Sequence, residues 1–271
     1  MKKLITIFGR NGQIGSNLIK LFASEKGVVV QPYSSEDADF SNLKALRRFL
    51  NNLKKPDFIV NCAGYTNVDG AEDEKELTDL INHQAVQIIA DYCVNNNVKL
   101  IHYSTDYVFD GSGNEPFESN NTKNLNPLNH YGKTKLLGEK SIINSGCEYL
   151  ILRISWIWDK NPNFKNFYNA IKILAKEREI LTIVDDQIGS PTEAKFVARN
   201  TIEIIKNDNF SKETRHLNNG EFMSWYDFTL QIVEDIKKEG EILAVKEIKP
   251  IKTSDFRSKA VRPLNSRLKN S

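Results

Sequence analysis

The chain has 271 residues, 40% of them hydrophobic and 27% charged, with 37 basic side chains against 35 acidic ones. That is enough apolar material for a buried core and too balanced a charge for a nucleic-acid partner or an anionic membrane surface; no apolar run approaches the ~20 residues of a membrane span. Cys62, Cys93 and Cys147 are odd in number and far apart, which excludes a disulfide framework and a CxxC zinc site and makes a cytoplasmic setting the expectation.

In chain order, LITIF (4–8) reads as a buried strand, interrupted too soon by glycines and an Arg to be a secretory signal. It leads through a glycine turn into the helix pattern QIGSNLIKLFASEK. VVV (28–30) is a second strand and SNLKALRRFLNNL (41–53) a second helix. DFIVNCAG (57–64), VKLIHYS (98–104) and YLILRIS (149–155) are strands rich in Ile, Val and Leu, separated by helix patterns over 76–96 and 130–145. LTIV (181–184) is a further strand, and helix patterns follow over 193–206 and 224–238. This alternation predicts an α/β fold, a doubly wound parallel sheet of Rossmann type covered by helices on both faces. Segments 109–129 and 156–169, and everything after about 207, break the pattern. The expected division is a dinucleotide-binding domain over 1–155 plus about 178–206, and a smaller C-terminal substrate-binding lobe over about 156–177 and 207–271. The lobe is expected over the carboxyl edge of the strands, where open α/β sheets bind ligands.

Gly9, Gly12 and Gly15 form GRNGQIG between the first strand and the first helix. A helix N-terminus presents unpaired N–H groups and a positive dipole end, and only glycine lets the backbone come close enough to a pyrophosphate to use them. The spacing is GxxGxxG, a variant of the dinucleotide fingerprint, and its position after an N-terminal strand points to such a ligand. The second strand ends in Gln31 and Pro32, with neither an acid for a ribose hydroxyl nor an Arg for a 2′-phosphate, so NAD and NADP stay open. Asp39 suits the adenine end of a cofactor or a helix cap.

Tyr131 and Lys135 share one helix face, where an ammonium beside a phenol lowers a pKa of ~10 and makes the phenol an acid–base. A YxxxK pair arises about once by chance in such a composition, and Tyr168–Lys172 is a second instance. Context favours Tyr131, which opens a helix after STDYVFDG; Tyr168 reads as an ordinary helix-face aromatic. The four histidines (83, 102, 130 and 216) are scattered and receive no catalytic or metal role, and Asn82 is a candidate inward-facing polar residue.

With GRNGQIG, NCAGYTNVD, STDYVFDG, YGKTK, LRISWIW (152–158), DDQIGSPT (185–192) and RPLNSRL (262–268) in order, the chain resembles the dTDP-4-dehydrorhamnose reductase family of extended short-chain dehydrogenase/reductases from about residue 4 to 268. The resemblance implies hydride transfer from NADPH or NADH to the 4-keto carbon of a nucleotide sugar. It makes Tyr131 the proton donor, Lys135 the group that lowers its pKa and bonds the nicotinamide ribose, and Thr105 the residue that orients the keto oxygen. Gly12, Gln13 and Ile14 would meet the pyrophosphate, Asp39 and Phe40 the adenosine end, and Ala63, Gly64 and Tyr65 the middle of the cofactor. Val68, Asp106, Trp156, Arg262 and Asn265 would line the sugar-nucleotide pocket, with Arg262 on the diphosphate.

Family members that dimerise through magnesium carry glutamates where this chain has Asn17 and Lys195, so the expectation is no metal, and a monomer or a weak metal-free homodimer. The chain also closes soon after RPLNSRL, where a further helix is common in the family. Tyr107 follows Thr105-Asp106 where dehydratases of the superfamily carry a second carboxylate, which argues against dehydration. The alternatives are a reductase of another keto-sugar nucleotide and a non-catalytic regulatory or binding subunit on the same fold.

Overall fold

The computed structural model describes residues 2–208 and 211–271; position 1 of the expected dinucleotide-binding domain and positions 209–210 of the expected lobe lie outside them. β1 (Lys3–Phe8) runs through a tight turn into α1 (Gln13–Phe22), followed by β2 (Val28–Tyr33), α2 (Leu43–Asn52) and β3 (Phe58–Asn61). Next come α3 (Gly70–Asp73), α4 (Lys75–Asp79), a π-turn at Leu80–Gln84, α5 (Ala85–Asn96), β4 (Lys99–Thr105), α6 (His130–Ser145) and β5 (Tyr149–Ile154). The second half contributes β6 (Ile157–Trp158), α7 (Phe167–Glu177), β7 (Ile180–Val184), β8 (Ile188–Gly189), β9 (Thr192–Glu193) and α8 (Ala194–Asn207). It closes with β10 (Glu213–His216), β11 (Met223–Ser224), α9 (Trp225–Lys238) and β12 (Glu247–Ile251).

Six strands make one parallel sheet in the order β10-β5-β4-β3-β1-β2. β1 has β2 on one side and β3 on the other, so successive connections leave it in opposite directions and a crevice opens beyond the carboxyl ends of β1 and β3. Strands buried on both faces explain the continuous apolar runs. On one face Phe8, Ile59, Leu100 and Ile151 pack against Leu46 and Leu50 of α2, Ile89 of α5 and Ile142 of α6. On the other, Ile5, Ile7, Val60, Ile101 and Leu152 meet Leu18 and Phe22 of α1 and Val197, Ile202 and Ile205 of α8. A separate core joins Tyr168 and Ile171 of α7, Leu181 and Ile183 of β7 and Phe228 and Ile232 of α9. Among the described residues no helix is long and apolar enough to cross a membrane.

The structure differs from the expected boundaries in several places. β7, assigned to the dinucleotide-binding domain, pairs instead with β12 in a two-stranded sheet and buries alternate residues on the lobe's core. β10, assigned to the lobe, is the sixth strand of the central sheet; its polar sequence ETRH suits an edge position, which only β5 covers. The helix expected over 76–96 is continuous but carries a π-turn at Leu80–Gln84 between α4 and α5. The Asn-rich stretch leads into α7, whose start Asn166 caps by accepting from Asn169 N–H. Tyr168 is buried there and stacks on Trp158. β2 also runs past VVV through Pro32, since an edge strand tolerates a missing donor.

α6 is fastened to β5 by a buried two-pronged ion pair: Arg153 Nε and Nη2 donate to Glu139 at 3.0 and 2.7 Å, with the side chains only 4% and 1% exposed. Removing one partner strands a charge in the core, a loss of about 3–5 kcal/mol. Glu139→Leu is therefore expected to lower the unfolding free energy by about that amount, read as an earlier midpoint in urea denaturation.

Candidate active site

The crevice holds a cavity of about 850 Å³ that runs from the glycine turn to the aromatic wall of the lobe. At one end Gly9 adopts φ +82°, and a side-chain carbon there would stand 2.8 Å from the backbone of Cys62 and Ala63 at the end of β3. Gly15 faces back onto the Gly9 carbonyl, which a Cβ would strike. Gly12 is the N-cap of α1; it brings no capping side chain, and the helix has no acid in its first turn. Backbone N–H groups and the dipole's positive end thus face the cavity beside Gln13 and Ile14, which suits a pyrophosphate. Ser34, Ser35, Asp39 and Phe40 line the end beyond β2. The Asp39 carboxylate accepts from Ser41, while Asn42 caps α2.

β4 and α6 build the reactive end. Thr105 closes β4, Asp106 follows it, and Tyr131 stands in the first turn of α6, whose N-terminus the Asn129 side chain caps by accepting from Gly132 N–H at 2.8 Å. Gly132 has no Cβ because the Tyr107 carbonyl occupies that space, so helix and strand end can touch. Burial outweighs the opposing pull of the nearby Thr105 hydroxyl and holds the Tyr131 phenol's pKa at about 12. Asp106 Oδ1 accepts from Thr105, and Oδ2 has no hydrogen-bond partner among the described residues. Burial keeps this carboxyl protonated up to about pH 6.

Lys135 lies one turn beyond Tyr131, and here the structure differs from expectation. Its Nζ donates to the Tyr103 carbonyl at 2.6 Å and stands 3.3 Å from His102 Nε2, so the phenol is not its partner in this state. Burial pulls its pKa down to about 8 against the pull of Glu139. His102, which drew no assignment from sequence, is buried and contacts Asn61 through Nδ1 at 3.1 Å. Asn82 does face inward: at the π-turn it bonds both the N–H and the carbonyl of Tyr65.

The lobe supplies the opposite wall. Trp156 adopts a left-handed φ of +49° and stacks on Trp225 with ring centroids 3.4 Å apart. Gly189 admits the Trp156 indole where a Cβ would collide with it. Asn166 donates to Gln13 Oε1 at 2.9 Å, and Asn17 donates to Asp159 at 2.6 Å, so the 159–166 loop is tied to the start of α1.

Gly9, Gly12, Gln13, Ile14, Asp39, Phe40, Ala63, Gly64, Val68, Thr105, Asp106, Tyr131, Lys135 and Trp156 all line the cavity. Gly15 stands behind it as a packing glycine. Tyr65, Arg262 and Asn265 lie outside the lining. The Tyr65 hydroxyl donates to Glu74 over Gly70. Arg262 makes a two-pronged pair with Asp69 at 3.0 Å, which holds that carboxyl below its ordinary pKa. Asn265 is buried and donates to the carbonyls of Ser112 and Glu115, pinning a loop. Phe164, Asn166, Phe167 and Trp225 also line the cavity and were not singled out from sequence; aromatic and amide side chains after a strand's carboxyl end were the available signal. Among the described residues no three His, Cys, Asp or Glu side chains are grouped to hold a metal ion.

The RmlD substrate binding domain family matches residues 1–271. The chain is 38% identical to the dTDP-4-dehydrorhamnose reductase of Salmonella typhimurium, covering 97% of this chain and 88% of that one. Its structure is similar to a dTDP-4-dehydrorhamnose reductase of Clostridium acetobutylicum, with a TM-score of 0.89 and 34% identity over 98% of this chain and 90% of the other. A dTDP-4-dehydrorhamnose reductase of Bacillus anthracis in complex with NADP gives a TM-score of 0.88 and 30% identity, covering 100% and 92% of the two chains.

The buried Asp106 carboxyl has a stability consequence. Its pKa is about 6 in the folded chain against an ordinary 3.8, so the folded state binds more protons between those values, and stability falls as pH rises through that window. Asp106→Asn removes the term; at pH 7 it is expected to stabilise the protein by about 1–3 kcal/mol, with the gain vanishing near pH 4 in urea titrations at the two pH values.

Proposed function

This chain belongs to the RmlD substrate binding domain family, and we propose that it reduces the 4-keto group of dTDP-4-dehydro-6-deoxy-L-mannose to give dTDP-L-rhamnose, using NADPH or NADH. The observation that carries this reading is that the Thr105–Tyr131 hydroxyl pair and the glycine turn open into one continuous cavity. A nicotinamide dinucleotide bound there supplies the hydride that reaches the sugar's keto carbon.

The chain's own residues do the rest. Gly12, Gln13 and Ile14 present the α1 N-terminus to the pyrophosphate, and the close turn at Gly9 leaves it room. Thr105 and Tyr131 hold the keto oxygen between two hydroxyls. As the carbon is reduced, the developing alkoxide takes the phenolic proton of Tyr131, which that high pKa keeps in place until a stronger base arrives. Asp106 lines the same end of the cavity, where it accepts from Thr105 and steadies that hydroxyl. The Trp156–Trp225 stack forms an apolar wall that excludes water from the reacting carbon. Arg262, beside the cavity rim, reaches the substrate's diphosphate by exchanging it for Asp69. The protein acts in the cytoplasm as a monomer or weak metal-free homodimer: Asn17 and Lys195 occupy the positions of the metal-holding glutamates, and the Asn17 amide is engaged with Asp159.

The test is consumption of reduced nicotinamide absorbance with the purified chain, either coenzyme, and the keto sugar nucleotide generated in place. Sugar-dependent oxidation is expected; coenzyme binding without it would sink the reading. Tyr131→Phe is expected to cut turnover by about 10²–10⁴-fold while leaving coenzyme affinity within about twofold, checked by steady-state kinetics and fluorescence titration.

A further inference from the structure

Beneath the reactive pair runs a buried chain of hydrogen bonds whose direction is determined at one end. Ala63 N–H donates to Asn61 Oδ1 at 3.1 Å, which leaves Asn61 Nδ2 facing His102 Nδ1 at 3.1 Å. An amide nitrogen only donates, so Nδ1 accepts, and a neutral imidazole that accepts at Nδ1 carries its proton on Nε2. That Nε2–H stands 3.3 Å from Lys135 Nζ, which donates to the Tyr103 carbonyl at 2.6 Å. An ammonium has no lone pair and would set donor against donor at that contact. A neutral amine accepts from His102 and donates to Tyr103, and every contact is satisfied.

We propose that Asn61 and His102 are positioning residues that hold Lys135 as a neutral amine in the resting enzyme, and that Lys135 becomes an ammonium only on leaving His102. The proposal rests on reading Tyr131 and Lys135 as the catalytic pair. The surrounding groups agree with it. On α6, Glu139 is the nearby carboxylate, and Arg153 of β5 occupies both its oxygens. Tyr131 is a phenol, Asp106 beyond β4 is hydrogen-bonded to Thr105, and Cys62 at the end of β3 is a thiol that burial keeps protonated. Burial of Lys135 acts in the same direction.

The resting site then holds an uncharged phenol and an uncharged amine. Once Tyr131 has given its proton to the substrate oxygen, the phenolate attracts a cation. Lys135 takes one proton from solvent, turns from His102 on its flexible stem, and passes that proton to the phenolate, so each turnover consumes one solvent proton.

The experiment is NMR of the full chain without coenzyme or sugar, with ¹⁵N-histidine and ¹³Cε-lysine labels, the Lys135 signal being assigned by its loss in Lys135→Met. The expected result is His102 protonated on Nε2 from pH 6 to 9 and Lys135 titrating well below the other lysines. Asn61→Asp keeps the acceptor for Ala63 but demands a donor from Nδ1; it should turn the imidazole over and move the Lys135 titration above about 10. The basic limb of the turnover–pH profile should move with it. A proton on His102 Nδ1 in the parent protein, or a Lys135 titration unmoved in a folded Asn61→Asp, overturns the proposal. If that variant does not fold, the parent tautomer alone decides. An active enzyme with the Nδ1 tautomer defeats this inference and spares the reductase reading; an inactive chain with the Nε2 tautomer does the reverse.

Discussion

Two hydrogens, on Gly9 and Gly15, set the distance on which the binding crevice depends. A carbon at Gly9 would meet the Cys62 and Ala63 backbone at 2.8 Å, and one at Gly15 would run into the Gly9 carbonyl. With neither present, the ends of β1 and β3 lie side by side, and α1 starts directly above the gap where the strand order turns. Gly12 at the N-cap leaves the helix end unoccupied by its own side chain. From that approach follow the course of the cavity and the reach of Asn166 to Gln13 across its mouth. A larger residue at Gly9 would push the β3 end away, and with it Asn61 and the chain of bonds beneath the reactive pair; one at Gly15 would push α1 off the turn.

The cavity walls sort charge by depth. Ion pairs lie behind the site, as Glu139–Arg153, or at its rim, as Arg262–Asp69. The groups at and beneath the reactive end are driven toward their uncharged forms by loss of water: Tyr131 and Asp106 upward in pKa, Lys135 and His102 downward. Such a site stores protons where they will be handed over and keeps net charge from competing with the charge that develops on the substrate oxygen. The cost appears as strain and lost stability, in the left-handed Trp156 and the buried Asp106.

Legibility in the sequence follows burial. β3, β4 and β5 are buried along their length, and their unbroken Ile, Val and Leu runs announce them. β10 lies at the edge with one neighbour, so nothing requires it to be apolar, and ETRH gives no signal. α7 hides behind asparagines that cap it and stitch its loop. Thr105, Tyr131 and the glycine turn were identified from motifs with their own spacing. His102 was not, because its role comes from register: β3 and β4 pair Asn61 with His102, two residues 41 positions apart, and no local pattern encodes that. The present contacts of Arg262 and Asn265, with a carboxylate and two carbonyls on other elements, were likewise not legible, because they come from tertiary placement of the tail.

The stacked indoles of Trp156 and Trp225 give the molecule an optical signature of its own. Two such rings, 3.4 Å apart and 6° from parallel, couple in their excited states. The third tryptophan, Trp158, lies two residues along and packs on Tyr168 in the lobe. Every indole in the chain therefore sits on the lobe side of the cavity, and the dinucleotide-binding half carries none. Fluorescence excited selectively in the indole band therefore reports on the lobe side of the cavity.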